Sequence, residues 1–92
     1  MSEYIEIETE LSDDGQRMTF YTNLTLSDQG HEAYASPDEM EEGSPLAHAL
    51  AVIPGIAHLT LDDSDLIIRK DPDADWYAII ADISAAIKDF FL

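Results

Sequence analysis

The carboxylates are the first candidates for chemistry. There are 20 Asp and Glu residues in 92, and three of them form Asp71-x-Asp73-x-Asp75, with Asp82 at the twelfth position counted from Asp71. Alternating acids with a closing acid describe the start and end of a calcium loop, but such a loop needs glycine at its sharp turn. Trp76 stands there instead, and Pro72 stiffens the approach. Capping of a following helix by Asp73 or Asp75 accounts better for these acids, because an Asp side chain can accept a free backbone N–H. A second group, Asp62, Asp63 and Asp65, lies in a polar turn. Hard oxygen ligands suit divalent cations, Fe(II) included, so these three are candidate metal ligands. Turn chemistry explains them equally well. His31, His48 and His58 are far apart and lack the short spacings of a histidine metal site.

Other chemistries are excluded more firmly. The sequence has no cysteine, which removes disulfides, thiolate metal sites, a cysteine nucleophile and a Cys-ligated cluster. No Ser or Thr sits in a nucleophile motif and no glycine-rich phosphate loop appears, so no enzyme is expected. The net charge of -16, with only Arg17, Arg69, Lys70 and Lys88 as strong bases, repels phosphate backbones and anionic lipid. Nucleic acid and membrane are therefore not expected partners. The acidity is open to two readings: solubility, as in a high-salt cytoplasm, or binding of cationic partners. No basic leader or bilayer-length apolar run is present, which gives the expectation of a cytoplasmic protein.

The elements that must position these groups follow from periodicity. Tyr4 to Glu10 alternates, with Ile5, Ile7 and Thr9 on one face and glutamates on the other. Leu11 to Gln16 reads as a turn. Arg17 to Tyr21 alternates again, Met18 and Phe20 inward and Arg17, Thr19 and Tyr21 outward, so the two strands make a hairpin. Asn23 to Gly30 either extends the sheet or covers the core as a loop. His31 to Ala35 is a short third strand, and Ser36-Pro37-Asp38-Glu39 a turn or single helical turn with Met40 as its anchor.

Ser44 is a good N-cap and Pro45 a good first helical residue. Leu46, Leu50 and Ile53 then recur at helical spacing until Pro54-Gly55 stops the helix. The acidic run Asp38, Glu39, Glu41 and Glu42 precedes that helix, where negative charge suits its dipole. Ile56 to Leu61 and Asp65 to Arg69 form a hairpin about Asp62-Asp63-Ser64. In its first strand Ala57, Leu59 and Leu61 make the better core face, against Ile56, His58 and Thr60. A last helix carries Trp76, Ile79, Ile80, Ile83, Ile87 and Phe90 on one face.

The order is β-β-(β)-α-β-β-α. Amphipathic helices of this kind share one face of a sheet, giving a single α+β domain, residues 1-92, built as a two-layer sandwich on a mostly antiparallel sheet. The other sheet face is left open. Tyr4, Tyr21, His58, Thr60, Ile67 and Arg69 fall on it, an aromatic and aliphatic patch rimmed by acids, which is the composition of a docking surface.

These pieces in their order resemble the N-terminal domain of the Nfu/NifU iron–sulfur scaffold family. Ser44-Pro45-Leu46-Ala47 opens the first helix, Pro54-Gly55-Ile56 closes it, and Asp65-Leu66-Ile67, Asp75-Trp76, Ala86-Ile87 and Asp89-Phe90-Phe91 follow. The first strand departs from the family: Thr9-Glu10 and Phe20 agree, whereas Leu11-Ser12-Asp13-Asp14-Gly15 replaces a Pro-Asn segment. In the family this domain commonly precedes one whose CxxC pair carries the cluster, and no such pair occurs in these residues. The resemblance implies a non-enzymatic accessory domain, expected to be monomeric, that contacts a CxxC scaffold or an apo iron–sulfur protein. It also implies weak binding of iron by its carboxylates, with no Cys-ligated cluster. The alternative is an acidic interaction or cation-buffering module unrelated to cluster assembly.

Overall fold

A computed structural model describes residues 5–27 and 30–91. Among these described residues, five strands and three helices follow one another as β1 (Ile7–Leu11), β2 (Arg17–Thr22), β3 (His31–Tyr34), α1 (Pro37–Glu41), α2 (Pro45–Leu50), β4 (Ile56–Asp62), β5 (Asp65–Lys70) and α3 (Trp76–Phe91). The strands form one sheet in the order β1-β2-β5-β4-β3, and every neighbouring pair is antiparallel. This is the expected two-layer α+β arrangement, with the possible helical turn at Pro37 realised as α1. Tyr4 lies outside the described residues.

The alternation of β2 and β5 puts Met18, Phe20, Leu66 and Ile68 on the covered face, and the register pairs Met18 with Ile68 and Phe20 with Leu66. Ile79, Ile83 and Ile87, spaced by four, come down on them from α3. Leu26 is buried against this core from the loop after β2, so that segment covers the core and does not extend the sheet. Leu11 continues β1 opposite Met18, and the turn begins only at Ser12. At the other end of α3 the expected face is one residue out: Phe90 is exposed, whereas Phe91 packs against the core.

The phase of β4 also differs from strict alternation. Ile56 pairs with Lys70 while His58 pairs with Arg69, so Ala57 is an extra residue in a bulge. The bulge resets the side-chain phase and lets Ile56 join Leu59 and Leu61 in the core. It leaves His58 outside beside Arg69. Helix capping follows the sequence: Ser36 and Ser44 side chains accept N–H groups from Glu39 and Ala47, and Asp75 Oδ1 accepts from Tyr77. The acidic residues Asp38 and Glu39 occupy the first turn of α1 and not that of α2, which has no acid there. Helix α2 stops at Leu50, and Ile53 reaches the core from the turn beyond it.

Two polar or backbone features fix how the layers meet. Gly55 has φ 94°, and a Cβ there would lie 2.8 Å from the Ala74 Cβ ahead of α3. The Trp76 indole N–H donates to the Gly15 carbonyl at 2.7 Å, tying the start of α3 to the β1–β2 turn. Gly55→Ala combines an unfavourable backbone angle with a steric clash, and thermal or denaturant unfolding is expected to reveal a loss of about 1–3 kcal/mol.

A further polar feature is Glu32, a buried acid on the covered side of edge strand β3. Its carboxylate accepts from the hydroxyls of Ser27 and Tyr34, and the Tyr34 oxygen accepts from the Ser44 backbone N–H at 3.1 Å. The loop before β3, the strand itself and the cap of α2 are thus joined at one charge. Burial pushes the Glu32 pKa up, but hydrogen bonds from Ser27, Ser44 and Tyr34 outweigh it and leave the carboxyl below its ordinary value of 4.5. A folded-state pKa below the unfolded one means stability that is present above about pH 4.5 and lost as pH falls through the folded value. Glu32→Gln is expected to cost about 1–3 kcal/mol at neutral pH and to flatten the acid limb of stability measured by urea unfolding across pH.

Candidate partner-docking face

With the helices on one side, the other side of the sheet is read directly from the register. One row across it runs Glu8, Tyr21, Asp65, Asp62, His31; the next runs Glu10, Thr19, Ile67, Thr60, Ala33; the third holds Arg17, Arg69 and His58. The face is thus graded along the strands from acidic, through a row centred on Ile67 and flanked by threonines, to basic. Ile67 and Thr60 are half-buried by their neighbours, and Arg17, His58 and Arg69 are exposed. Arg17, His58, Thr60, Ile67 and Arg69 surround a depression of about 300 Å³.

Of the docking residues expected from sequence, His58, Thr60, Ile67 and Arg69 therefore meet. Tyr21 lies on the same face, one row from Ile67 towards the acidic end, with its hydroxyl donating to Glu10 Oε1 at 3.2 Å. Arg17 was recognisable as outward-facing, but not as Arg69's neighbour. That contact joins residues of β2 and β5, and no local spacing carries it. The cue available in sequence is the scarcity of bases: four in all, two of them outward on strands.

Asp62 and Asp65 are directly opposed across the β4–β5 hairpin, with Asp63 between them at φ 56°. The backbone of Asp63 is fully engaged, its N–H donating to Gly30 and its carbonyl accepting from Leu26, and the Ser64 carbonyl accepts from the Thr22 hydroxyl at 2.7 Å. The turn is held as part of the fold. Among the described residues no group of three or more His, Cys, Asp or Glu is placed so that it could hold a metal ion, the triplet Asp62, Asp63 and Asp65 included. His48 caps a local contact, its Nδ1 2.9 Å from the Glu41 carbonyl oxygen. The acids Asp71, Asp73 and Asp75 border an open hollow of about 550 Å³ over Gly55 and Ile79.

An antiparallel sheet with helices on one side and a graded surface on the other defines an open-faced α+β domain. The model of the family described as "Scaffold protein Nfu/NifU N terminal" matches residues 7–92, and the chain belongs to that family. Membership implies a role in iron–sulfur cluster scaffolding. Two solved structures have the same fold. A NifU-like protein from Saccharomyces cerevisiae is 23% identical with a TM-score of 0.76, over 97% of this chain and 82% of that one. Protein SAV1430 from Staphylococcus aureus is 12% identical with a TM-score of 0.71, over 89% of this chain and 98% of that one. Among curated proteins no sequence matches this one. No helix among the described residues is long and apolar enough to cross a membrane.

The electrostatics of the face can be checked at Tyr21. The hydrogen bond to Glu10, then burial and the charges of Glu10 and Asp65, raise its phenol above the ordinary 10.0. Glu10→Gln is expected to lower the Tyr21 titration toward that value, as followed by the pH dependence of its ring resonances in NMR spectra.

Proposed function

We propose that this domain is a non-enzymatic accessory module of iron–sulfur protein maturation, acting by contact between its open sheet face and a protein partner. The partner class is a CxxC-bearing scaffold domain or an apo iron–sulfur protein. The observation that supports this reading is the open face itself: in a chain of the Nfu/NifU N-terminal family, Ile67 lies at the centre of a surface that no element among the described residues covers. A half-buried aliphatic ringed by polar side chains has the make-up of an interface core and rim. Iron enters as the partner's cargo. The sequence holds no cysteine, so cluster ligation falls to the partner. The monomer docks through one face, and the chemistry of assembly takes place elsewhere.

The net charge of -16 favours a second reading, an acidic module that collects basic proteins or cations by charge alone. Salt separates the two, because exposed charges are screened over about 10 Å at 0.1 M ionic strength, whereas apolar contact persists. The test is binding of a purified Nfu-type CxxC domain to wild-type protein and to Ile67→Asp, by calorimetry at low salt and at roughly 0.3 M salt, the latter leaving a Debye length well under 10 Å. Retention at the higher salt with about tenfold or greater weakening by Ile67→Asp supports docking; a carboxylate forced onto the apolar centre is a loss of that size. Equal binding of an unrelated basic protein, abolished in both cases by salt, would replace docking with the charge-driven reading.

A further inference from the structure

The depression at the basic end of the open face brings together two of the four strong bases of an otherwise acidic chain. Arg17 and Arg69 are direct cross-strand partners, and His58 stands next to Arg69 on the other side. Like charges directly opposed destabilise a sheet. With 20 acidic side chains against 4 basic ones, this chain had ample means to pair each arginine with a carboxylate. Yet among the described residues neither guanidinium makes a hydrogen bond or an ion pair. Asp14 lies near enough for both arginines to favour its ionised form, but its Oδ1 already accepts from the Ser12 hydroxyl at 2.6 Å and the Gln16 N–H at 3.0 Å. Two forks of donors, the Thr60 hydroxyl and an imidazole therefore converge on one hollow beside Ile67.

Resting on the docking reading above, we propose that this depression receives an Asp or Glu carboxylate of the partner protein, with an adjacent apolar side chain of that partner seated on Ile67. Guanidinium groups suit the occupant because their donors match the two oxygens of a carboxylate. Charge complementarity also fixes direction: the partner's acid goes to the Arg17–Arg69 end, since the Tyr21, Asp65 and Asp62 row repels it. Ile67 and Arg69 are two residues apart on one strand, about 7 Å. Side chains four apart on a helix rise about 6 Å, so a helix carrying Leu and Glu at that spacing can meet both.

The probe is a capped, alanine-based helical peptide with Leu and Glu four residues apart, titrated into the labelled full chain and followed by amide shifts. Saturable shifts at His58, Thr60, Ile67 and Arg69 are expected. Replacing the peptide's Glu by Gln, or introducing Arg17→Gln or Arg69→Gln in the protein, is expected to weaken binding about two- to fivefold, the scale of losing exposed charge pairs. Equal binding of the Glu and Gln peptides at this face overturns the carboxylate site while leaving an apolar docking face. A Glu peptide that leaves these amides unshifted overturns it as well, and needs no protein variant that could misfold. Failure of the docking reading shows up separately, as a CxxC domain indifferent to Ile67→Asp.

Discussion

Strand β5 is the constraint on which the structure turns. It lies at the centre of the sheet between β2 and β4, and its Leu66 and Ile68 are wholly inaccessible to solvent. Because only one face of the sheet is covered, two-residue alternation decides which side chains are core and which are surface. Fixing Leu66 and Ile68 beneath α3 necessarily turns Ile67 and Arg69 outward. Sliding β5 by one residue would exchange the sets, burying an arginine and exposing two large aliphatics. The make-up of the open face is therefore a consequence of core packing.

At the margin of the sheet the fold relies on a different kind of contact. Glu32 sits where alternation calls for an apolar residue, opposite Leu61. Two hydroxyls, those of Ser27 and Tyr34, join there with the α2 cap, so the carboxylate does by directed hydrogen bonds what an aliphatic side chain would do by filling space. Gly43 belongs to the same arrangement. A Cβ at that position would come within 2.4–2.6 Å of the Tyr34 ring and hydroxyl, so the relay depends on a residue without a side chain. Buried ionised groups are costly unless well bonded, and the match here lies in the number of donors rather than in a counter-charge.

Much of this was legible in the sequence, for local reasons. The cap at Ser44, a cap at Asp73 or Asp75, the alternation of Met18 and Phe20, and the isoleucine stripe of α3 all depend on residues within a few positions of one another. The bulge at Ala57 was not legible, since Ile56 and His58 fit one face by simple counting and only pairing with Lys70 and Arg69 reveals the extra residue. Phe90 and Phe91 were exchanged because both are aromatic and one step around the helix separates surface from core. For the site, composition singled out His58, Thr60, Ile67 and Arg69, whereas Arg17 entered only through the neighbourhood of β2 and β5. The carboxylate groups drew attention by abundance, but their positions answer to turns and caps.

Among the described residues the two outermost strands each have an open hydrogen-bonding edge, since β1 pairs with β2 alone and β3 with β4 alone. Such edges invite a further strand from another molecule and, repeated, lead to fibrils. Here β1 alternates Ile7, Glu8, Thr9, Glu10 with its acids exposed, and β3 is four residues long with a buried charge in the middle. A second copy laid against β1 would align glutamates with glutamates. The acidity that looks like a general property of the surface is thus placed, along β1, where it opposes growth of the sheet.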